Sequence, residues 1–359
     1  MINKLHGDLL ELIGNTPMVE LSKMSRGLSS KIFAKLEYYN PSGSIKDRIG
    51  LSMIEEAENA GLIKPGDTIV EPTSGNTGTS LALVCALKGY RMIAVMPAEM
   101  STERQAMMRA FGAELILIPS KEDSASGTFS KEELESTIEK AREMSKLPGH
   151  YMPDQFSNPA NTLAHYRTTA KEIWEQMNGN IDIVVISVGT AGTAMGVGRG
   201  LKERDPSIEL HVVEPLNSAV LSGEAPGYHR IQGIGEGFIP ELYDSEVVDE
   251  IIKVSDEEAK ITTCQLSRKE GIFAGYSAGA NVFAALTVAR KQAVPKQIVT
   301  LIPDSGMKYL STELYQRNPD LCISICCDQD EVKERGECLQ AHEYCCVLIP
   351  CSEREKLFP

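Results

Sequence analysis

The chain has 359 residues, of which 42% are hydrophobic and 24% charged: enough apolar material for two packed domains, and too much for a disordered chain. Its formal net charge of −14 opposes attraction to phosphodiester backbones and anionic lipid, so neither nucleic acid nor membrane is an expected partner. The opening MINKLHGDLLELIGNTP lacks the basic and apolar regions of a signal peptide, and no run approaches ~18 uninterrupted apolar residues, so a cytoplasmic location is expected. Cys85 and Cys264 stand alone while seven further cysteines crowd between Cys322 and Cys351, unlike the spread framework of a secreted scaffold.

In chain order, the first strand-like run is Thr68–Pro72, which turns into a segment of helical period at Ser80–Lys88. Arg91–Pro97 does the same before Thr102–Phe111, and Gly112 is placed as a helix stop ahead of a strand at Ala113–Ile118. A polar stretch from Ser120 passes into an amphipathic helix that ends near Pro148-Gly149, which sets a boundary near residue 150. Ile181–Val188 then leads into Ala194–Lys202, with further strands expected at Glu209–Glu214 and Gln297–Pro303. Repeated strand–loop–helix units predict an α/β fold with mainly parallel sheets flanked by helices. After Leu310 the pattern stops, and a cysteine-rich tail follows.

Open α/β sheets place ligands at the carboxyl ends of their strands, and glycine- and hydroxyl-rich loops stand at those ends here. Gly189-Thr190-Ala191-Gly192-Thr193 turns a strand directly into a helix, so free N–H groups and the helix dipole converge as a phosphate cup; by itself it is equally a tight turn. Thr73-Ser74-Gly75-Asn76-Thr77-Gly78 offers hydroxyls and bare amides for a carboxylate, with Asn76 able to bond a ring hydroxyl; a capped helix start is the plainer reading. Pro41-Ser42-Gly43-Ser44-Ile45-Lys46-Asp47-Arg48 sets a lysine in a turn-to-helix transition, though most lysines are simply solvated. Pro303-Asp304-Ser305-Gly306 presents a hydroxyl from the sheet edge.

Together with IGNTP at Ile13–Pro17, KLEYYNPSGSIKDR at Lys35–Arg48, EPTSGNTG at Glu71–Gly78, MPAEMSTER at Met96–Arg104, QFSNPAN at Gln155–Asn161, IQGIGEGFIP at Ile231–Pro240 and PDSGMKYLST at Pro303–Thr312, these loops carry a family resemblance. The chain resembles the cysteine synthase and cystathionine β-synthase family of fold-type II pyridoxal-phosphate enzymes over approximately residues 5–315. The resemblance implies two α/β domains with pyridoxal 5′-phosphate in the cleft between them: 1–12 with 36–150, and 13–35 with 151–315, leaving 316–359 as the tail. It implies a homodimer.

Carried over by position, the resemblance makes Lys46 the internal aldimine and general base, and Asn76 the partner of the ring oxygen. It gives the phosphate to Gly189, Thr190, Gly192 and Thr193, and the pyridine nitrogen to Ser305. Thr73, Ser74, Gly75, Thr77 and Gln155 would grip the substrate carboxylate, with Gly233 and Glu236 also at the substrate. The implied reaction is β-replacement through an aminoacrylate, making L-cysteine from O-acetyl-L-serine, or a related activated serine, and sulfide. A neutral hydroxyl at the pyridine nitrogen would make a weaker electron sink than a carboxylate, which suits direct β-elimination.

Ala191 stands where the family usually has a third loop glycine, and a negative φ there is expected to leave the cup intact. Met307-Lys308 replaces the more usual Glu-Arg, and the insertion around Asp123–Ser130 is unusual. Glu236 replaces a small residue; a carboxylate at the mouth could attract the ammonium of homocysteine or cysteine, or could be a solvated loop residue. Condensation with homocysteine, or release of hydrogen sulfide from cysteine, therefore stays open beside cysteine synthesis.

Two other classes compete. Gly275-Tyr276-Ser277-Ala278-Gly279 matches the G-x-S-x-G nucleophile elbow, and Asp304 with His342 supplies a hydrolase order, but only one strand follows it. An inactive binding protein would have lost Lys46, Asn76 or Ser305, and all three are present. The tail cysteines Cys322, Cys326, Cys327, Cys338, Cys345, Cys346 and Cys351 include no C-x-x-C pair, and no metal site is expected.

Overall fold

The computed structural model describes residues 5–73, 75–98, 101–119 and 131–315. Ser74, the insertion around Asp123–Ser130, His342 and the cysteine-rich tail lie outside the described residues. Ten strands run in chain order: β1 Met18–Glu20, β2 Lys31–Leu36, β3 Thr68–Pro72, β4 Arg91–Pro97, β5 Glu114–Ile118, β6 His150–Tyr151, β7 Ile183–Ser187, β8 Glu209–Pro215, β9 Glu250–Val254 and β10 Gln297–Ile302. Between them lie α1 Lys46–Asn59, α2 Asn76–Lys88, α3 Thr102–Ala110, α4 Lys131–Ser145, α5 Pro159–Ala164, α6 Ala170–Gln176, α7 Gly192–Lys202, α8 Asp256–Gln265 and α9 Tyr276–Lys291.

The strands form two sheets. The larger has the order β1-β2-β10-β7-β8-β9, parallel except for the antiparallel β1–β2 pair. The smaller, β5-β4-β3-β6, is parallel throughout. Helices cover both faces, which explains why β3 is buried at every residue without alternation, its Glu71 included. Gly112, at φ +88°, turns the chain after α3 as the sequence predicts, because a left-handed stop costs glycine nothing. Among the described residues, no helix is long and apolar enough to cross a membrane.

Close packing of α7 positions the site. Gly192, Gly196 and Gly200 share one face at four-residue spacing. A Cβ on Gly196 would lie 2.3 Å from Thr162 O, and one on Gly200 2.7 Å from Ala170 Cβ. The backbone of α7 is thereby brought against the segment 161–170, which includes a π-turn at His165–Thr169.

Beneath α1 lies a buried quartet of charges. Arg48 grips Glu37 with Nε–Oε2 at 2.8 Å and Nη2–Oε1 at 2.9 Å, and Glu172 with Nη1–Oε1 at 2.6 Å and Nη2–Oε2 at 2.7 Å. Lys35 Nζ closes on Glu172 Oε2 at 2.7 Å. Burial works against ionisation of Glu172, but Arg48 and Lys35 outweigh it and hold the carboxyl down to about 2. Two cations meet two anions, so the cluster ties α1 to β2 and α6 without a net buried charge.

Candidate active site

The carboxyl ends of β3, β7 and β10 open on one cleft of about 1090 Å³, counted to its mouth. Lys46 reaches it from a loop stitched to the end of β10: Ile45 N donates to Pro303 O at 2.8 Å, Ser305 N to Gly43 O at 3.1 Å, and Ser44 bridges Asp304. Asp47 accepts from the Ser42 N–H at 2.6 Å and from its hydroxyl, which holds the turn in front of α1. Ser80 Oγ donates to Lys46 O at 2.9 Å from α2. The Lys46 amine makes no hydrogen bond among the described residues; burial lowers its pKa, against the opposing pull of Glu236 and Asp304.

The loop after β7 places Gly189, Thr190, Ala191 and Thr193 on the cleft wall. A Cβ on Gly189 would stand 2.6 Å from Gly233 O, and one on Gly192 1.9 Å from Asn161 Oδ1, so both positions demand glycine. Asn161 Nδ2 donates to Thr190 Oγ1 at 2.9 Å, and Thr193 Oγ1 lies 3.1 Å from His165 Nε2. Burial, then the Arg48 and Lys46 charges, push His165 well below its usual range, so the ring is neutral. Ala191 corrects the expectation made for it: its φ is +67°, in the left-handed region that favours glycine, at the position capping α7.

The loop after β3 places Thr73, Gly75, Asn76 and Thr77 in the same cleft. Gly78 N donates to Thr73 Oγ1 at 2.9 Å, and Thr77 Oγ1 donates to Gln155 Oε1 at 2.6 Å. Gln155 is held by Glu71, which accepts from Gln155 N and Asp154 N, both at 3.0 Å. Burial raises the Glu71 carboxyl to about 8 in spite of those two donors. Asn76 is fixed on two sides: its Nδ2 donates to Asp304 Oδ2 at 2.8 Å, and its Oδ1 accepts from Lys308 Nζ at 2.6 Å. Gly233 and Glu236 also line the cleft, where burial raises the Glu236 carboxyl and Lys46 and Arg104 pull it back.

Ser305 does not line this cleft. Its Oγ accepts from Met307 N at 3.3 Å, starting the short 3₁₀ turn Gly306–Tyr309. The hydroxyl that faces the cavity is that of Ser277, in the first turn of α9. It is 5% exposed and makes no hydrogen bond among the described residues. In sequence, Gly275–Gly279 offers Ser277 as a hydrolase nucleophile and gives it no cofactor role. The structure overturns that reading, since Ser277 continues a regular helix without the positive φ of a strained elbow, and no described histidine lines the cleft. Arg104, Asn161 and Lys308 sit inside the quoted motifs and His165 just beyond one of them, none with an assigned role; only burial and partners single them out.

The residues present fit pyridoxal phosphate. Two glycines leave a cradle where any Cβ would collide, a helix begins there, and an unbonded amine and an unbonded hydroxyl face the same space. A family model described as pyridoxal-phosphate dependent enzyme matches residues 9–304. A cysteine synthase of Staphylococcus aureus is 46% identical over 316 residues, covering 88% of this chain and 99% of that protein. The crystal structure of a cysteine synthase from Entamoeba histolytica superposes with a TM-score of 0.82 at 43% identity, over 88% of this chain and 92% of that one. An O-acetylserine-dependent cystathionine β-synthase from Helicobacter pylori gives 0.81 at 39% identity, over 87% and 100%. The chain is therefore a pyridoxal-phosphate-dependent enzyme and belongs to the cysteine synthase and cystathionine β-synthase family.

Proposed function

We propose that the protein makes L-cysteine by replacing the β-substituent of O-acetyl-L-serine, or a related activated serine, with sulfide. The observation that carries this reading is the convergence of Lys46, the two glycine loops and Ser277 on one cleft. Pyridoxal phosphate, when bound, supplies the electron sink that lets the α-proton and the β-substituent leave.

The chain supplies the rest. Gly189, Thr190, Gly192 and Thr193 hold the phosphate at the amino end of α7. If Thr169 donates to His165 Nδ1, at 2.9 Å, then Nε2–H donates to Thr193 and leaves the Thr193 proton for the phosphate. Ser277 replaces Ser305 as the hydroxyl for the pyridine nitrogen. Lys46, whose amine burial holds below its usual range, anchors the cofactor and moves the α-proton. Thr73 and Gly75 meet the substrate carboxylate; Thr77 acts through Gln155, occupying its oxygen so that its amide N–H groups face the cleft.

Glu236 favours a second reading, since a carboxylate in this cleft would receive the ammonium of an amino-acid thiol such as homocysteine or cysteine. Steady-state rates with O-acetylserine and either sulfide or homocysteine separate the two. Cysteine should form faster than cystathionine in the native protein, Glu236→Ala should widen that ratio, and Lys46→Ala should form neither. Rapid cystathionine formation without cysteine would sink the cysteine synthase reading.

A homodimer and a cytoplasmic location are proposed from family resemblance and composition. The division into 1–12 with 36–150 and 13–35 with 151–315 is supported by the pairing of β1 and β2 into the larger sheet.

A further inference from the structure

Resting on the assignment of the cleft to pyridoxal phosphate, we propose that Lys308 is a positioning residue. It locks the Asn76 side chain so that only an N–H, never the carbonyl, faces the bound ring oxygen.

An asparagine amide has two ends that differ in hydrogen bonding but hardly in shape, so an unconstrained one presents donor or acceptor with little preference. Here both ends are dictated by charge. Lys308, 2% exposed, has only protons to give as an ammonium and sits 2.6 Å from Asn76 Oδ1. Asp304, 1% exposed, accepts from Asn76 Nδ2 at 2.8 Å through the same Oδ2 that accepts from the Tyr309 hydroxyl, also at 2.8 Å. Flipping the amide would set its donor end against an ammonium and its oxygen against a carboxylate, breaking two charge-assisted bonds at once. One Nδ2 hydrogen is spent on Asp304, and the other is left for the cleft that Asn76 lines. The chain pins this lysine from the sheet edge: Lys308 N donates to Ser305 O at 3.3 Å, within the turn that Ser305 caps. Ser305, displaced from the cofactor ring, thus contributes to holding the lysine that orients the ring's partner.

A donor on the ring oxygen favours its ionised form, which absorbs at longer wavelength than the protonated one. Absorption of the cofactor-loaded protein therefore reads the lock directly, apart from turnover. K308R, which keeps a donor, should retain the native ratio of long- to short-wavelength bands. K308M should lower that ratio about tenfold, the order of one hydrogen bond to a charged group. N76A should do the same, and N76A/K308M should add nothing further, because the lysine acts only through the amide. A native ratio in folded K308M, or shifts that multiply in the double variant, would overturn the role. Should K308M fail to fold, D304N/K308M removes the stranded carboxylate and takes its place, with the same two readings. If the native protein shows no cofactor band that K46A abolishes, the cofactor assignment itself fails and takes Lys308's role with it; a native spectrum in K308M, with the band present, removes Lys308 alone.

Discussion

The loops after β7 and β3 are built alike, each turning from a buried strand through glycines into a helix, yet they are secured by opposite means. The β7 loop is held by neutral groups in tight contact: Asn161 on Thr190, an uncharged His165 on Thr193, and a Gly192 with no room for a methyl. The β3 loop is held through ionisable groups: Glu71 behind Gln155, Asp304 and Lys308 on Asn76. The difference follows from what each would receive. A phosphate is anionic at every working pH and needs only fixed donors, whereas a ring oxygen must be met in one orientation, which the charges of Asp304 and Lys308 on Asn76 enforce more strongly than shape.

The largest break in this comparison should come from Gly192→Ala. Its Cβ would stand 1.9 Å from Asn161 Oδ1, so Asn161 must leave Thr190 and the cup must open. Cofactor dissociation, followed by loss of visible absorption on dilution, should weaken binding by about 10–100-fold, the worth of one or two lost bonds to an anion. Unchanged affinity would show that steric closeness does not hold the cup.

The β3 loop should be distinguished by pH. Glu71 is raised from 4.5 to about 8, so the folded state retains a proton that the unfolded chain has released. Between those two values the native state binds more protons than the unfolded one, and stability falls as pH rises. The melting temperature should decline from about pH 5 to 8, and Glu71→Gln should flatten that decline. An equal slope in both proteins would remove Glu71 as its source. Ala191→Gly should give the smallest effect. It relieves a left-handed alanine but frees the unfolded chain, a net stabilisation of about 0.5 kcal/mol measurable by denaturant unfolding.

Most of the alternating architecture was legible because buried strands and amphipathic helices have periods that need no partner to be seen. Thr68–Pro72 and Arg91–Pro97 are strands over the spans read from sequence, and α7 begins two residues before the predicted Ala194. The short β1 and β6 and the peripheral β9 carry too little pattern, and of β2 only Lys35 and Leu36 fall inside a quoted motif. Within the site, Lys46 and both glycine loops announced themselves because glycine and lysine at a strand end are chemically distinctive. Ser277 and Ser305 could not be ranked in that way: each is a hydroxyl in a short glycine-containing segment at the start of a helical turn, and only the three-dimensional path decides which one faces the cavity. Ala191 misled for a related reason, since residue type sets a preference for φ and the surrounding turn sets its value.

The charge quartet beneath α1 has a consequence for substitution within it. Removing one member of Lys35, Glu37, Arg48 and Glu172 strands a buried charge at a cost of about 3–5 kcal/mol, a large share of the stability of most domains. A compensated change of two oppositely charged members should therefore cost less than the loss of either one alone. Four residues scattered over 138 positions of sequence thus act as a single structural unit.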